Sequence, residues 1–255
     1  MIFKRSKLNV AKDSKPLEEK IAKIKRIVYR TLVDESTVKL LGEREKSKLF
    51  SKMGFLKPKN EDIQLESLEK SYDPFFIVNG TYSIDYYRKH VYKLDVGEDV
   101  SELVIFGQVL KPKAASSSKF RGKGKEVELE AEQRITKRNS AYIVLDRKAR
   151  EVEVEKFPTA PAEENPKKAL AEVGERVWEF EVSPEEAIEI VRSKVVNRPE
   201  DLGRIANELF EVSECNIVYV PVYQAMYKNV NTWEEKTLLV NAVTSRLVEK
   251  ADQAS

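Results

Sequence analysis

Residues 75–96 read FFIVNGTYSIDYYRKHVYKLDV. Phe75 to Val78 is a short apolar run, and Asn79-Gly80 is the residue pair that closes tight hairpins. From Tyr82 onward the pattern alternates. Ile84, Tyr86, Arg88, His90, Tyr92, Leu94 and Val96 share one face, and Tyr87, Lys89, Val91, Lys93 and Asp95 share the other. This is the period of a strand. Leu103-Val104-Ile105-Phe106 begins another strand that runs to about Leu110, and strands resume at Val127, Leu129, Ala131 and Ile135. Tyr142–Asp146 and Val152–Phe157 are expected to pair as a hairpin about Arg147-Lys148-Ala149-Arg150. An antiparallel sheet is therefore expected across the middle of the chain.

On the N-terminal side, Leu17, Ile21, Ile24, Val28 and Leu32 recur at helical spacing and predict a helix over 17–32. A second helix is predicted from Ser36 towards Met53, opened by Asp34, Glu35 and Ser36. On the C-terminal side, Pro158, Pro161 and Pro166 lie in an Ala/Glu-rich stretch that reads as a linker. Trp178, Phe180 and Val182 alternate as a strand. Ser183-Pro184-Glu185-Glu186 then opens a helix, with Ser as cap, Pro in the first turn and Glu three residues after the Ser. A short helix over Glu200–Val212 and strands at Asn216–Tyr227, Lys236–Asn241 and Arg246–Glu249 complete the reading. The expected fold class is α+β: N-terminal helices plus an antiparallel sheet, then a smaller C-terminal α+β module with a strand meander. The expected domains are residues 1–156, a linker over 157–170, and residues 171–255.

The phrase VSPEEAIEIV at 182–191, followed by strands that end VTSRLVE at 243–249, resembles a PepSY-type α+β module. Ser245 stands where that pattern has Gly. The resemblance covers about a quarter of the chain and implies a fold, not an activity. As a whole the chain resembles uncharacterised proteins of thermophilic archaea. Its composition agrees, since charged residues make up 35% and Cys215 is the one cysteine.

A lone cysteine makes neither an intrachain disulfide nor a thiolate metal site, and the opening residues lack a signal-peptide core. A cytoplasmic protein with no membrane association, no metal and no cofactor is expected. Residues 1–150 hold 33 Lys and Arg against 22 Asp and Glu, whereas 151–255 hold 12 against 21. A basic front and an acidic back point to different partners, or to chance clustering in a charge-rich chain.

His90, the single histidine, sits mid-strand among Arg88, Tyr86 and Tyr92, with nothing near it to complete a catalytic set. Arg121-Gly122-Lys123-Gly124-Lys125 lacks the full phosphate-loop pattern. What stands out is residues 111–125, KPKAASSSKFRGKGK, with six cations and no acid. Lys111, Lys113, Lys119, Arg121, Lys123 and Lys125, with Lys4, Arg5 and Lys7 near the start, are the candidate nucleic-acid contacts; the bland reading is a solvated loop. Asn216–Tyr227 is apolar on both faces, so its Tyr219, Tyr223 and Tyr227 face wants cover: the basic part of the chain, a second copy in a homodimer, or another protein. The expected function is non-enzymatic association with structured RNA or a ribonucleoprotein such as the ribosome, including a hibernation or dimerisation type. The alternatives are a protein–protein adaptor and an enzyme that uses surface carboxylates.

Overall fold

Three long strands organise the chain: Ile63–Val96, Lys125–Leu145 and Ile205–Asn229. In a computed structural model that describes residues 16–51, 58–114 and 124–248, the elements in order are β1 (Glu18–Ile21), β2 (Lys25–Val28), α1 (Glu35–Leu49), β3 (Ile63–Val96), β4 (Leu103–Ile105), β5 (Gln108–Leu110), β6 (Lys113–Ala114), β7 (Lys125–Leu145), β8 (Glu151–Val152), α2 (Pro166–Val173), α3 (Pro184–Val195), β9 (Ile205–Asn229) and β10 (Glu235–Asn241). One eight-stranded sheet has the order β1-β9-β3-β7-β6, with β2 and β10 also on β9 and β8 on β7; β4 and β5 form a separate pair. The sheet is mixed, because β2 runs parallel to β9 while β10 and β8 pair antiparallel.

This architecture corrects the α+β expectation. Half of the chain is strand, and the N-terminal helix over 17–32 does not form. That stretch holds β1 and β2 instead. Ile21, Ile24 and Leu32, three of the five residues of the supposed helical stripe, are exposed. The segment instead satisfies its backbone on β9, in the register Lys25↔Asn216 to Val28↔Tyr219. Its β-branched Ile and Val suit a pleated surface. Likewise, of the helix expected over 200–212, residues 205–212 are the start of β9 and 200–204 are irregular. The Asn79-Gly80 pair makes no turn; β3 runs straight through it.

The helices that do form follow their caps. Asp34 accepts from the Thr37 amide at 2.7 Å and from the Ser36 hydroxyl at 2.8 Å, which opens α1. Ser183 and Glu186 exchange reciprocal bonds, the Ser183 amide donating to the Glu186 carboxylate at 2.7 Å, and so open α3.

The chain divides into two units interleaved along the sequence: residues 1–19, 82–139 and 196–210, and residues 20–81, 140–195 and 211–255. In the second unit α1 lies on the sheet, with Val38 and Leu49 packed with Ile63, Tyr223, Ala225, Tyr227 and Val240. Gly42 is required there, because a Cβ at that position would overlap the Tyr227 hydroxyl. A second cluster joins Ile77, Val144, Val218 and Val220 to Phe75, Val152 and Phe157. Pro221 sits mid-strand without harm. Along that side of β9 the β2 ladder ends at Tyr219 and the β10 ladder begins at Val222, so the missing amide falls between two partners.

The first unit buries Tyr82, Ile84, Tyr86, Val127 and Phe210. Within it the Glu208 carboxylate accepts from the Tyr82 hydroxyl at 2.7 Å and from Arg198 Nε and Nη2, each at 2.7 Å. Burial pushes Glu208 towards its neutral form, but these donors outweigh burial and hold its pKa below the usual range.

Candidate functional site

The buried acid Asp73 marks the site. It lies in β3 within Ser71-Tyr72-Asp73-Pro74-Phe75-Phe76, a run that leaves it 7% exposed. Its Oδ1 is buried and has no hydrogen-bond partner among the described residues. Burial, and to a lesser degree the Asp146 charge, pushes its pKa up to about 7, against opposing pulls from Arg147 and Arg150. An acid in that condition is half protonated at neutral pH.

Asp73 lines a cavity of about 500 Å³ in the second unit, within the usual size range of small-molecule sites. Its apolar lining comes from Phe75, Val152, Phe157, Val220, Val222 and Leu247. Besides Asp73 on β3, its charged lining comes from the hairpin turn after β7, from Glu151 on β8, from the short 3₁₀ segment Val154–Lys156, and from the turn after β10.

The first turn is built by Asp146. Its Oδ1 accepts from the amides of Lys148 (2.9 Å) and Arg150 (2.8 Å), and its Oδ2 accepts from Arg150 Nε and Nη2, each at 2.7 Å. Asp146 is therefore saturated, and its charge is offset by Arg150. The backbone of Arg147 is held by Glu181, whose amide donates to the Arg147 carbonyl at 2.9 Å, and its guanidinium lies 4.6 Å from the Trp178 ring centroid. Trp178 is fixed in turn by donating its amide to the Tyr72 carbonyl at 3.0 Å.

The other turn is built by Asn241, whose Oδ1 accepts from the amides of Val243 (2.9 Å) and Thr244 (3.0 Å). It carries Ser245 in the left-handed region at φ 59°. It presents Arg246, exposed, with no side-chain hydrogen bond or ion pair among the described residues. Four cations (Arg147, Arg150, Lys156 and Arg246) thus face three acids (Asp73, Asp146 and Glu151) around the cavity. Glu151 is also paired with Lys194 at 2.5 Å, and Lys156 with Glu153 at 2.8 Å.

No family model, curated protein or solved structure matches the chain.

The residues singled out from sequence are placed as follows. Lys4, Arg5, Lys7, Lys119, Arg121 and Lys123 lie outside the described residues. Lys113 pairs with Glu128 at 3.2 Å, Lys125 donates to the Val100 carbonyl at 3.1 Å, and Lys111 is exposed. Tyr223 and Tyr227 are buried in the core under α1, and Tyr219 is half-buried in the cluster that includes Ala169 and Leu170 of α2. The cover that this tyrosine face wanted comes from helices of the same chain. His90 is exposed on β3 and meets Tyr92 edge-on at 4.7 Å. Cys215 is buried, and burial raises its thiol pKa.

Among the described residues no group of His, Cys, Asp and Glu is placed to hold a metal ion, and no helix is long and apolar enough to cross a membrane. Sequence reading missed Asp73, Asp146, Arg147, Arg150 and Arg246 as a set. The available signal was an acid inside an otherwise apolar strand run.

Proposed function

We propose that the protein is a binding protein that takes up a small anionic ligand in the cavity of its second unit. The observation that carries this reading is the buried, unpartnered carboxylate of Asp73 facing a cavity with more cations than acids around it. A buried polar atom without a partner costs free energy, and functional sites are where such costs persist. The arginines supply charge for an anion, and the apolar lining supplies area for its body.

The test is titration with 1-anilinonaphthalene-8-sulfonate, an aromatic sulfonate, followed by its fluorescence. Arg246→Gln removes one cation from the rim, and Leu247→Trp narrows the exposed mouth. Both are expected to stay folded and to bind the dye several-fold more weakly. Equal binding by wild type and both variants would place the dye elsewhere and overturn the reading.

Association with structured RNA is a second reading, favoured by where the chain keeps its excess cations. The first unit carries 19 Lys and Arg against 15 acids, but its described residues carry 11 against 14. The excess therefore lies in residues 1–15 and 115–123, eight cations against one acid. Changing Lys119, Arg121, Lys123 and Lys125 to Ser is expected to weaken RNA binding for every sequence and to flatten its salt dependence, since each phosphate contact releases a counterion. Unchanged binding would favour the adaptor alternative.

A further inference from the structure

We infer that the cavity selects monocarboxylates with an apolar tail, the headgroup sharing a single proton with Asp73 beside the arginines. This rests on the anion-binding reading above and names the ligand class. The argument starts with charge. Among the described residues, the charged groups that line the cavity with Asp73 come from four places: Asp146, Arg147 and Arg150 on the hairpin turn, Glu151 on β8, Lys156 on the 3₁₀ segment, and Arg246 on the turn after β10. Asp146 is offset by Arg150, and Glu151 and Lys156 each have a partner beyond the lining. With Asp73 protonated, Arg246, exposed and without an ion pair among the described residues, is available to one negative charge. With Asp73 ionised, a second anion beside it meets repulsion in a poorly solvated place.

Headgroup chemistry follows. A protonated Asp73 is a hydrogen-bond donor, and a carboxylate oxygen is a strong acceptor for an O–H donor. Binding a carboxylate would give that side chain the partner it lacks. A phosphate dianion brings a second charge into a site that already holds Asp73 and Asp146, and fits less well. Phe75, Phe157, Val220, Val222 and Leu247 then ask for a hydrocarbon tail rather than a sugar.

Asp73 is the group that sets pH dependence. Its pKa of about 7 means that a carboxylate, ionised throughout the neutral range, binds with uptake of a proton. Above that midpoint, affinity falls about tenfold per pH unit. Asn at position 73 keeps an N–H donor and cannot ionise.

The experiment is calorimetric titration of the full chain with octanoate, octyl phosphate and octanol, from about pH 6 to about pH 8.5. Three outcomes are expected. Octanoate binds more tightly than the other two. Its affinity declines across the range in wild type and is flat in Asp73→Asn. Comparing buffers of different ionisation enthalpy shows close to one proton taken up per octanoate at the alkaline end, a measurement on wild type that needs no variant. Octyl phosphate binding as tightly as octanoate at the alkaline end, no proton uptake, or a pH profile that survives Asp73→Asn overturns the inference and leaves the anion-binding reading standing. Failure of octanoate, octyl phosphate and the sulfonate dye alike removes both.

Discussion

Asp73→Asn should make the protein more stable, and by an amount that depends on pH. In the unfolded chain this carboxyl titrates near its ordinary value of 3.8; in the folded protein burial raises it to about 7. The folded state therefore holds the proton more tightly than the unfolded state does. Stability attached to that proton is fully present below the unfolded pKa and is lost as pH rises through the folded one. A shift of three units at roughly 1.4 kcal/mol each gives about 4 kcal/mol as the full loss. The amide isostere does not titrate and keeps the packing. The difference in unfolding free energy between variant and wild type should thus be small near about pH 4, grow steadily, and level off above about pH 7 at roughly 4 kcal/mol in favour of the variant. Urea denaturation of both proteins at each pH, followed by Trp fluorescence, measures it. Other titrating groups cancel in the difference. A difference that stays constant across the window would refute the reasoning, because it would mean that Asp73 is charged and compensated in the fold.

The remaining expectations concern packing and local geometry. Gly42→Ala should cost about 1–3 kcal/mol by driving a methyl into the Tyr227 hydroxyl, and Tyr227→Phe in the same chain should recover part of it, since that buried hydroxyl has no partner among the described residues; urea midpoints of the single and double variants decide this. Glu208→Gln should destabilise by about 3 kcal/mol, near the low end for a broken buried pair because Arg198 is half exposed. The lowered Glu208 pKa means that its contribution is present above the ordinary carboxyl range and lost on acidification, so the gap between this variant and wild type should close at low pH. Ser245→Gly should stabilise by about 0.5 kcal/mol, the relief of a left-handed residue less the glycine's greater unfolded freedom, read as a small rise in melting temperature.

Much of the sheet was legible, and the reasons for the misses are physical. Alternation from Tyr82 to Arg88 and the two apolar faces of Asn216–Tyr227 named β3 and β9 because those parts are half-buried or fully buried, whereas residues 89–95 alternate although both of their faces are exposed. The cap at Ser183 and the start of α1 were legible because capping is local chemistry. Residues 17–32 were misread because Leu17, Ile21, Ile24, Val28 and Leu32 match helical spacing by coincidence, and the partner that makes the stretch a strand lies some 190 residues away in β9. Asn79-Gly80 carried a turn signal that a long ladder overrode. The cavity was illegible for a related reason. Asp73, Asp146 and Arg246 come from three distant segments, so the one local signal, an acid beside the apolar run at 75–78, does not show which groups it meets.

The place of Pro221 on β9 has a consequence for register. A strand that slides along its neighbours by two residues keeps every side chain on its original face, so alternation alone does not forbid the slip. β9 is open to that error, being apolar on both sides over much of its length. The Pro221 carbonyl accepts from the Ala242 amide, so its ring nitrogen faces the same flank, where β2 hands over to β10. Moving β9 by two residues either way carries that nitrogen into one of the two ladders, where a donor is needed and none exists. The imino acid thus works as a detent. It is silent when the strand is seated, and it raises the free energy of each neighbouring alignment that the hydrophobic pattern would otherwise accept.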